Sequence, residues 1–216
     1  NDTITVTGEE PGTTQTGTLQ IDAGEGRDSV SLEGQFKVKE AVVQGETVQV
    51  DAAVDAESVR IEAVADSESQ NFSDNVASVS IGKDAVITTS GDILIDAKAE
   101  QTKSFRDNQD GLQANLVLAK AAVDIKGKLY AGQVAVAGQN ASSGQDEGSD
   151  QGDGSGQTPT ETQGSVTITA ETKIKSGYKN DGTEEAGQPA AITLGTGSSV
   201  INIAKDSVIQ ATNSIS

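Results

Sequence analysis

The sequence predicts an all-β chain, and more narrowly a right-handed parallel β-helix of roughly six to eight coils with polar loop insertions. Three observations carry that expectation. Val and Ile outnumber Leu by 35 to 8, and β-branched side chains suit a pleated, half-buried surface better than a helix. Apolar residues alternate with period two at Val48-Gln49-Val50, Val59-Arg60-Ile61, Val79-Ser80-Ile81, Val123-Asp124-Ile125 and Val166-Thr167-Ile168, as in half-buried strands. The short apolar runs also recur along the chain, and recurrence marks an architecture in which each unit buries its apolar face only against the next.

Taken in order, residues 1–34 open the array, and the repeats occupy 35–216. The first cassette runs Phe36-x-Val38, Ala41-Val42-Val43, Gly45, Val48-x-Val50-Asp51-Ala52. The second runs Val79-x-Ile81, Ala85-Val86-Ile87, Gly91, Ile93-x-Ile95-Asp96-Ala97. Further starts fall at Val123, Val166 and Ile201, so that the spacings are 43, 44, 43 and 35 residues. Three strands per coil would give about 22 residues per coil. A propeller of the same period is disfavoured, because blades close on aromatic contacts and this chain has five aromatics and no Trp. Polar insertions are expected at 64–76, 98–114, 138–164 and 176–190. The longest, 138–164, holds Asp146, Glu147, Asp150, Asp153 and Glu161 with no Lys or Arg, and reads as a flexible acidic loop within one domain. Both ends of the sequence fall inside strand-like pattern, which reads as an excerpt of a longer protein.

Composition removes several functional classes. With neither His nor Cys, the chain has no Ser-His-Asp or Cys-His nucleophile, no zinc site of the usual ligands and no disulfide framework. A net charge of −18 opposes nucleic-acid binding, which needs clustered Lys and Arg. No apolar run approaches the roughly 18 residues of a spanning helix, so no membrane span is expected. Catalysis is not expected either. The charged groups Arg106 with Asp107 and Asp110, and Lys179 with Asp181, Glu184 and Glu185, read as solvated charge, and Tyr130 and Tyr178 are sparse as sugar platforms. The acidic loop at 146–153 lacks the residue order of an EF-hand. Endings of the form apolar-x-apolar-acid-Ala, at Asp22, Asp51, Glu62 and Asp96, would place carboxylates about 4.8 Å apart if they stacked; outward-pointing turn acids are the favoured reading. Ranked Thr-x-Thr motifs are not evident, because Thr3-Ile4-Thr5 and Thr167-Ile168-Thr169 stand isolated in the sequence.

The cassette Val79-Ser80-Ile81-Gly82-Lys83-Asp84-Ala85-Val86-Ile87 through Ile93-Leu94-Ile95-Asp96-Ala97, echoed by Ile201-Asn202-Ile203-Ala204-Lys205-Asp206-Ser207-Val208-Ile209, resembles the β-solenoid tracts of giant secreted bacterial surface proteins, the filamentous-haemagglutinin-like adhesins. That resemblance implies an extracellular or cell-surface setting and a structural or adhesive role as a stiff stalk, fibre or matrix element. It also implies self-association or binding to a surface glycan or protein receptor. A calcium-binding surface-layer module and a carbohydrate-active β-helix are the alternatives. Separately, Ile21-Asp22-Ala23-Gly24-Glu25-Gly26-Arg27-Asp28 resembles one turn of the repeats-in-toxin calcium roll. That likeness implies Ca²⁺ at Gly24, Gly26 and Asp28, although Ala23 replaces the first glycine and the other candidate turn, ending in Asn1-Asp2-Thr3-Ile4, lies over 20 residues away rather than nine. A plain tight turn is the other reading of the same residues.

Overall fold

The computed structural model describes residues 2–8, 17–24, 26–68, 74–106, 113–132, 162–179 and 191–216. Within strands, the side chains of 67–68, 74, 102–106, 113–117, 176–179 and 191–194 also lie outside the description. The described residues form strands and turns with no helix. In chain order the strands are β1 (Thr3–Thr7), β2 (Thr18–Asp22), β3 (Ser29–Lys37), β4 (Glu40–Gly45), β5 (Thr47–Ala56), β6 (Ser58–Glu68) and β7 (Asp74–Ile81). There follow β8 (Val86–Thr89), β9 (Ile93–Arg106), β10 (Gln113–Ile125), β11 (Lys128–Ala131), β12 (Val166–Lys179), β13 (Ala191–Ile203) and β14 (Val208–Ala211).

All the strand pairs are parallel and fall into two sheets. The nine-stranded sheet holds β1, β3, β5, β7, β8, β10, β11, β13 and β14, and the five-stranded sheet is ordered β12-β9-β6-β4-β2. The chain alternates between them, and each visit adds a strand to the same growing edge. Parallel neighbours need a crossover rather than a hairpin, and here the crossover is the strand laid down in the other sheet.

Register stacks like residues into columns. In the larger sheet one column reads Ile4, Val30, Val48, Val79, Val123, Ile201, and another Val6, Leu32, Val50, Ile81, Ile125, Ile203. These columns define six tiers. In the smaller sheet the columns are Leu19, Ala41, Val59, Ile93, Val166 and Ile21, Val43, Ile61, Ile95, Ile168. All of these side chains face inward, and those of the middle tiers are fully buried. At roughly 25 cal/mol per Å² of apolar surface removed from water, these columns are the main source of stability. Asn75 ties the two sheets together from inside: its Nδ2 donates to the Ala65 carbonyl at 2.8 Å and to the Glu100 carbonyl at 2.6 Å.

The five cassette starts occupy three different positions. Val79, Val123 and Ile201 share one column, whereas Phe36 belongs to Phe36, Val54, Ile87, Leu129, Ile209, and Val166 lies in the smaller sheet above Ile93. An apolar-x-apolar triplet looks the same on every wall of such a stack, so spacing alone cannot assign the wall. The expected insertions also shrink. Residues 64–68, 74–76, 98–106, 113–114 and 176–179 are strand, because Ala63, Ala65, Ala97 and Ala99 point inward and are buried while polar residues alternate outward. The expected loop at 138–164 lies outside the described residues except for its last three.

The corners of the stack are close-fitting. Between β7 and β8, Ala85 N–H donates to the Gly82 carbonyl at 3.1 Å, and two tiers on Ser207 N–H donates to the Ala204 carbonyl at 3.0 Å. The tier between them cuts the same corner with Lys126-Gly127. A Cβ on Gly127 would stand 2.6 Å from the carbonyl oxygens of both Ala85 and Gly82, so only glycine fits there.

Candidate functional site

Two places gather charged groups in ordered positions: the corner between β2 and β3, and the outer face of the smaller sheet. The corner contains the calcium-roll-like residues. Gly24 and Gly26 have φ of 81° and 143°, the left-handed region that glycine enters freely. Gly24 N–H donates to Asp22 Oδ1 at 3.0 Å, an Asx-type turn. Asp28 is buried; its Oδ1 accepts the Asp2 N–H at 2.7 Å, and its own N–H donates to Glu46 Oε2 at 2.6 Å. A Cβ on Gly26 would come within 3.1 Å of Asp28 Oδ2, so the glycine also makes room for that carboxylate. Asp28 and Glu46 thus accept backbone N–H groups from neighbouring tiers, the same device by which Asp22 closes its own turn. Among the described residues no three His, Cys, Asp or Glu side chains converge closely enough to hold a metal ion.

The outer face of the smaller sheet presents outward residues in register. One column reads Asp22, Gln44, Glu62, Asp96, Thr169; others read Val64, Lys98, Glu171 and Asp66, Glu100, Lys173. Of the four acids that share the apolar-x-apolar-acid-Ala ending, three therefore fall in one column, where Glu62 and Asp96 are direct neighbours and Gln44 separates Asp22 from them. The fourth, Asp51, sits in the larger sheet beside Glu33. They are outward strand residues rather than turn residues, except for Asp22 at the end of β2. Stacked carboxylates 4.8 Å apart repel, and the face neutralises them locally. Arg60 pairs with Glu62 at 2.6 Å along β6, Lys98 pairs with Asp96 along β9, and Thr169 Oγ1 donates to the same Asp96 carboxylate from β12. Lys175 and Lys173 reach across from β12 to Glu100.

The charge states follow from these contacts. The hydrogen bond from Arg60 to Glu62 holds the guanidinium above its ordinary value, and the bond from Lys98 to Asp96 does the same for that ammonium. The bond between Lys175 and Glu100 raises the lysine and lowers the carboxyl. Every shift favours the charged form, so this is a compensated ladder of ion pairs, stable as such near neutral pH. A group poised for proton transfer would be shifted the other way, toward its neutral form.

The sequence reading did not single out this face as a unit, although its signal is present: charges at i and i+2, as in Arg60-x-Glu62, Asp96-x-Lys98-x-Glu100 and Glu171-x-Lys173-x-Lys175, sit on one side of a strand. Tyr130 faces outward between Thr88 and Gln210. The side chains of Arg106, Tyr178 and Lys179, and Asp107, Asp110, Asp181, Glu184, Glu185 and the acidic run 146–153, lie outside the description. No helix of the described residues is long and apolar enough to cross a membrane. No protein-family model, curated protein or solved structure matches the chain.

Proposed function

We propose that the chain is a right-handed parallel β-helix serving as a stiff structural segment of a large extracellular or surface-attached bacterial protein. Its work is mechanical: it holds other parts of that protein, adhesive ones among them, at a fixed separation. The observation that carries the reading is the continuity of the inward columns, from Ile4 to Ile201 and from Leu19 to Val166, through every tier. Each tier is clamped by backbone hydrogen bonds and aliphatic contacts on both sides, so compliance along the stack is small. The compensated outer face of the smaller sheet suits a surface that has to remain ordered and hydrated, and no turnover is assigned to it. The bacterial-surface setting rests on the resemblance of the Val79–Ala97 cassette.

Rigidity is directly measurable, because the chain has no Cys and labels can be placed specifically. Thr5 and Asn202 occupy one outward column, five steps apart through Ser31, Gln49, Ser80 and Asp124. Spin labels on Thr5→Cys and Asn202→Cys should give a single narrow dipolar distance near 24 Å, broadened by the label arms (about 4.8 Å per step). A broad distribution, or one centred far from that value, would overturn the stiff-spacer reading.

A further inference from the structure

The chain distance between stacked neighbours has its minimum inside the molecule. In the column Ile4, Val30, Val48, Val79, Val123, Ile201, successive neighbours are 26, 18, 31, 44 and 78 residues apart. In the smaller sheet's column Leu19, Ala41, Val59, Ile93, Val166 they are 22, 18, 34 and 73 apart. Both minima fall on one stretch, residues 29–68, in which β3, β4, β5 and β6 are joined only by Val38-Lys39, Glu46 and Glu57. Two of these corners are tied within the stretch itself: Val38 N–H donates to the Asp55 carbonyl at 3.0 Å, and Glu57 N–H to the Lys39 carbonyl at 2.8 Å. Its inward side chains include Leu32, Val43, Val48, Val50 and Ile61, all fully buried.

We propose that residues 29–68 fold first and act as the template that sets the register of the other tiers. A stack of like units can nucleate anywhere along its length, so folding starts where two tiers meet at the least cost in chain entropy. Each doubling of a loop lowers its closure probability about threefold. In an open chain Val30 therefore meets Val48 about ninefold more readily than Val123 meets Ile201. The same short closure serves both sheets, because β4 pairs with β6 at the spacing at which β3 pairs with β5. Register is what the template supplies. Val79-Ser80-Ile81 and Val166-Thr167-Ile168 offer the same inward pair, yet the first stacks on Val48 and Val50 in the larger sheet and the second on Ile93 and Ile95 in the smaller. A triplet that could sit on either wall is assigned by the edge already formed beside it. β7 starts only five residues after β6 ends and joins next, whereas β12 starts 34 residues after β11 ends and joins late. The inference concerns how the stack assembles and stands independently of its mechanical role.

Refolding and unfolding kinetics of the full chain test the order. Val48 and Val123 share a column and both are fully buried, so Val48→Ala and Val123→Ala remove the same groups from a template tier and from a later one. Val48→Ala should slow refolding, with about half or more of its equilibrium loss appearing in the folding rate. Val123→Ala should leave the refolding rate within about twofold and speed unfolding instead. Pulsed hydrogen exchange during refolding of the unchanged chain needs no variant to fold. The amides of Val48–Val50 and Val59–Ile61 should become protected before those of Val123–Ile125 and Val166–Ile168. Losses that partition in the same proportion for both variants, or in the reverse order, overturn the inference. So does protection of the later strands together with, or ahead of, the early pair.

Discussion

The first three tiers and the last three are built on the same columns but from very different lengths of chain. Between β3 and β5, and again between β4 and β6, paired residues are 18 apart (Ser29 with Thr47, Glu40 with Ser58). Between β7 and β10 they are 44 apart (Asp74 with Leu118), between β9 and β12 73 apart, and between β10 and β13 78 apart. The columns do not register the change: Val48 stacks on Val79 as Val30 stacks on Val48. A tier is therefore defined by its inward residues and its corners, and surplus chain leaves at a corner without altering the rise. The early tiers run through the larger sheet as single strands, β3 and β5, while the later ones are split by a corner into β7 and β8, β10 and β11, β13 and β14.

The largest expected effect tests whether the two regions are equally tight inside. Ile61 and Ile95 are neighbours in one column, on either side of the change in length, and both are fully buried. Truncation of either to Ala should cost about 2–5 kcal/mol, the range for removing a buried aliphatic side chain, and the two costs should agree within about 1 kcal/mol. Chemical denaturation of the two variants measures this. A clearly smaller cost for Ile95→Ala would mean that the tiers with long excursions are more loosely packed.

A somewhat smaller effect should separate the regions. Gly127→Ala forces a methyl against two carbonyl oxygens at a corner that exists only in the later tiers, and overpacking of that kind costs about 1–3 kcal/mol. In β5 the larger sheet crosses the same level without a corner, so Ala53→Gly there should cost less, roughly 0.5–1 kcal/mol from backbone entropy alone. Equal melting midpoints for the two variants would show that the Gly127 corner relaxes easily.

How much of this was legible depends on the kind of signal. Val, Ile and Leu in strict alternation identified the strands of both sheets, because period two survives any change in loop length. The outer ends of β6 and β9 were not legible, since their inward residues are Ala63, Ala65, Ala97, Ala99 and Gln101, small or polar positions that carry little hydropathy. The spacing of about 43 residues belongs only to the step from Val79 to Val123; Phe36 and Val166 matched it on other walls of the stack. For the candidate sites, the glycines of the Gly24–Asp28 turn were visible in the sequence, but it could not reveal that Asp28 accepts the Asp2 N–H from 26 residues away. That bond is a property of stacking.

A third variant addresses the excursions themselves. Residues 133–161 leave after Gly132 and return at Thr162, and those two ends are tied: Thr162 Oγ1 donates to the Gly132 carbonyl at 3.2 Å, and Thr212 Oγ1 donates to the Thr162 carbonyl at 2.9 Å. Replacing 133–161 by a Gly/Ser segment about a quarter as long removes roughly two doublings of loop length and should stabilise the fold by about 1 kcal/mol. A large loss of stability would show that the segment packs on the tiers and that length is not free in this region.

The smallest effect concerns pH, and it separates the two outer faces. On the first tiers of the larger sheet the outward columns Thr3, Ser29, Thr47, Ser78 and Thr5, Ser31, Gln49, Ser80 are uncharged, and the charged residues of that face, Glu33, Lys37, Asp51 and Asp55, stand in its other columns. The smaller sheet differs. Glu100 is held below the ordinary carboxyl value of 4.5 by the Lys175 hydrogen bond. Its contribution is complete above that value and is lost as pH falls through the lower folded value. Lys98 is held above 10.5 by the bond to Asp96, so its contribution is complete below 10.5 and is lost as pH rises past the raised folded value. Between these limits neither group changes charge. Glu100→Gln should therefore lower the neutral-pH midpoint slightly, because an exposed ion pair contributes little, and should make the decline below pH 4.5 shallower. Ser31→Ala should leave the acid limb as it is. If Glu100→Gln leaves the acid limb equally steep, the Lys175–Glu100 pair is not where acid opens the stack, and the outer face of the smaller sheet is not its acid-sensitive part.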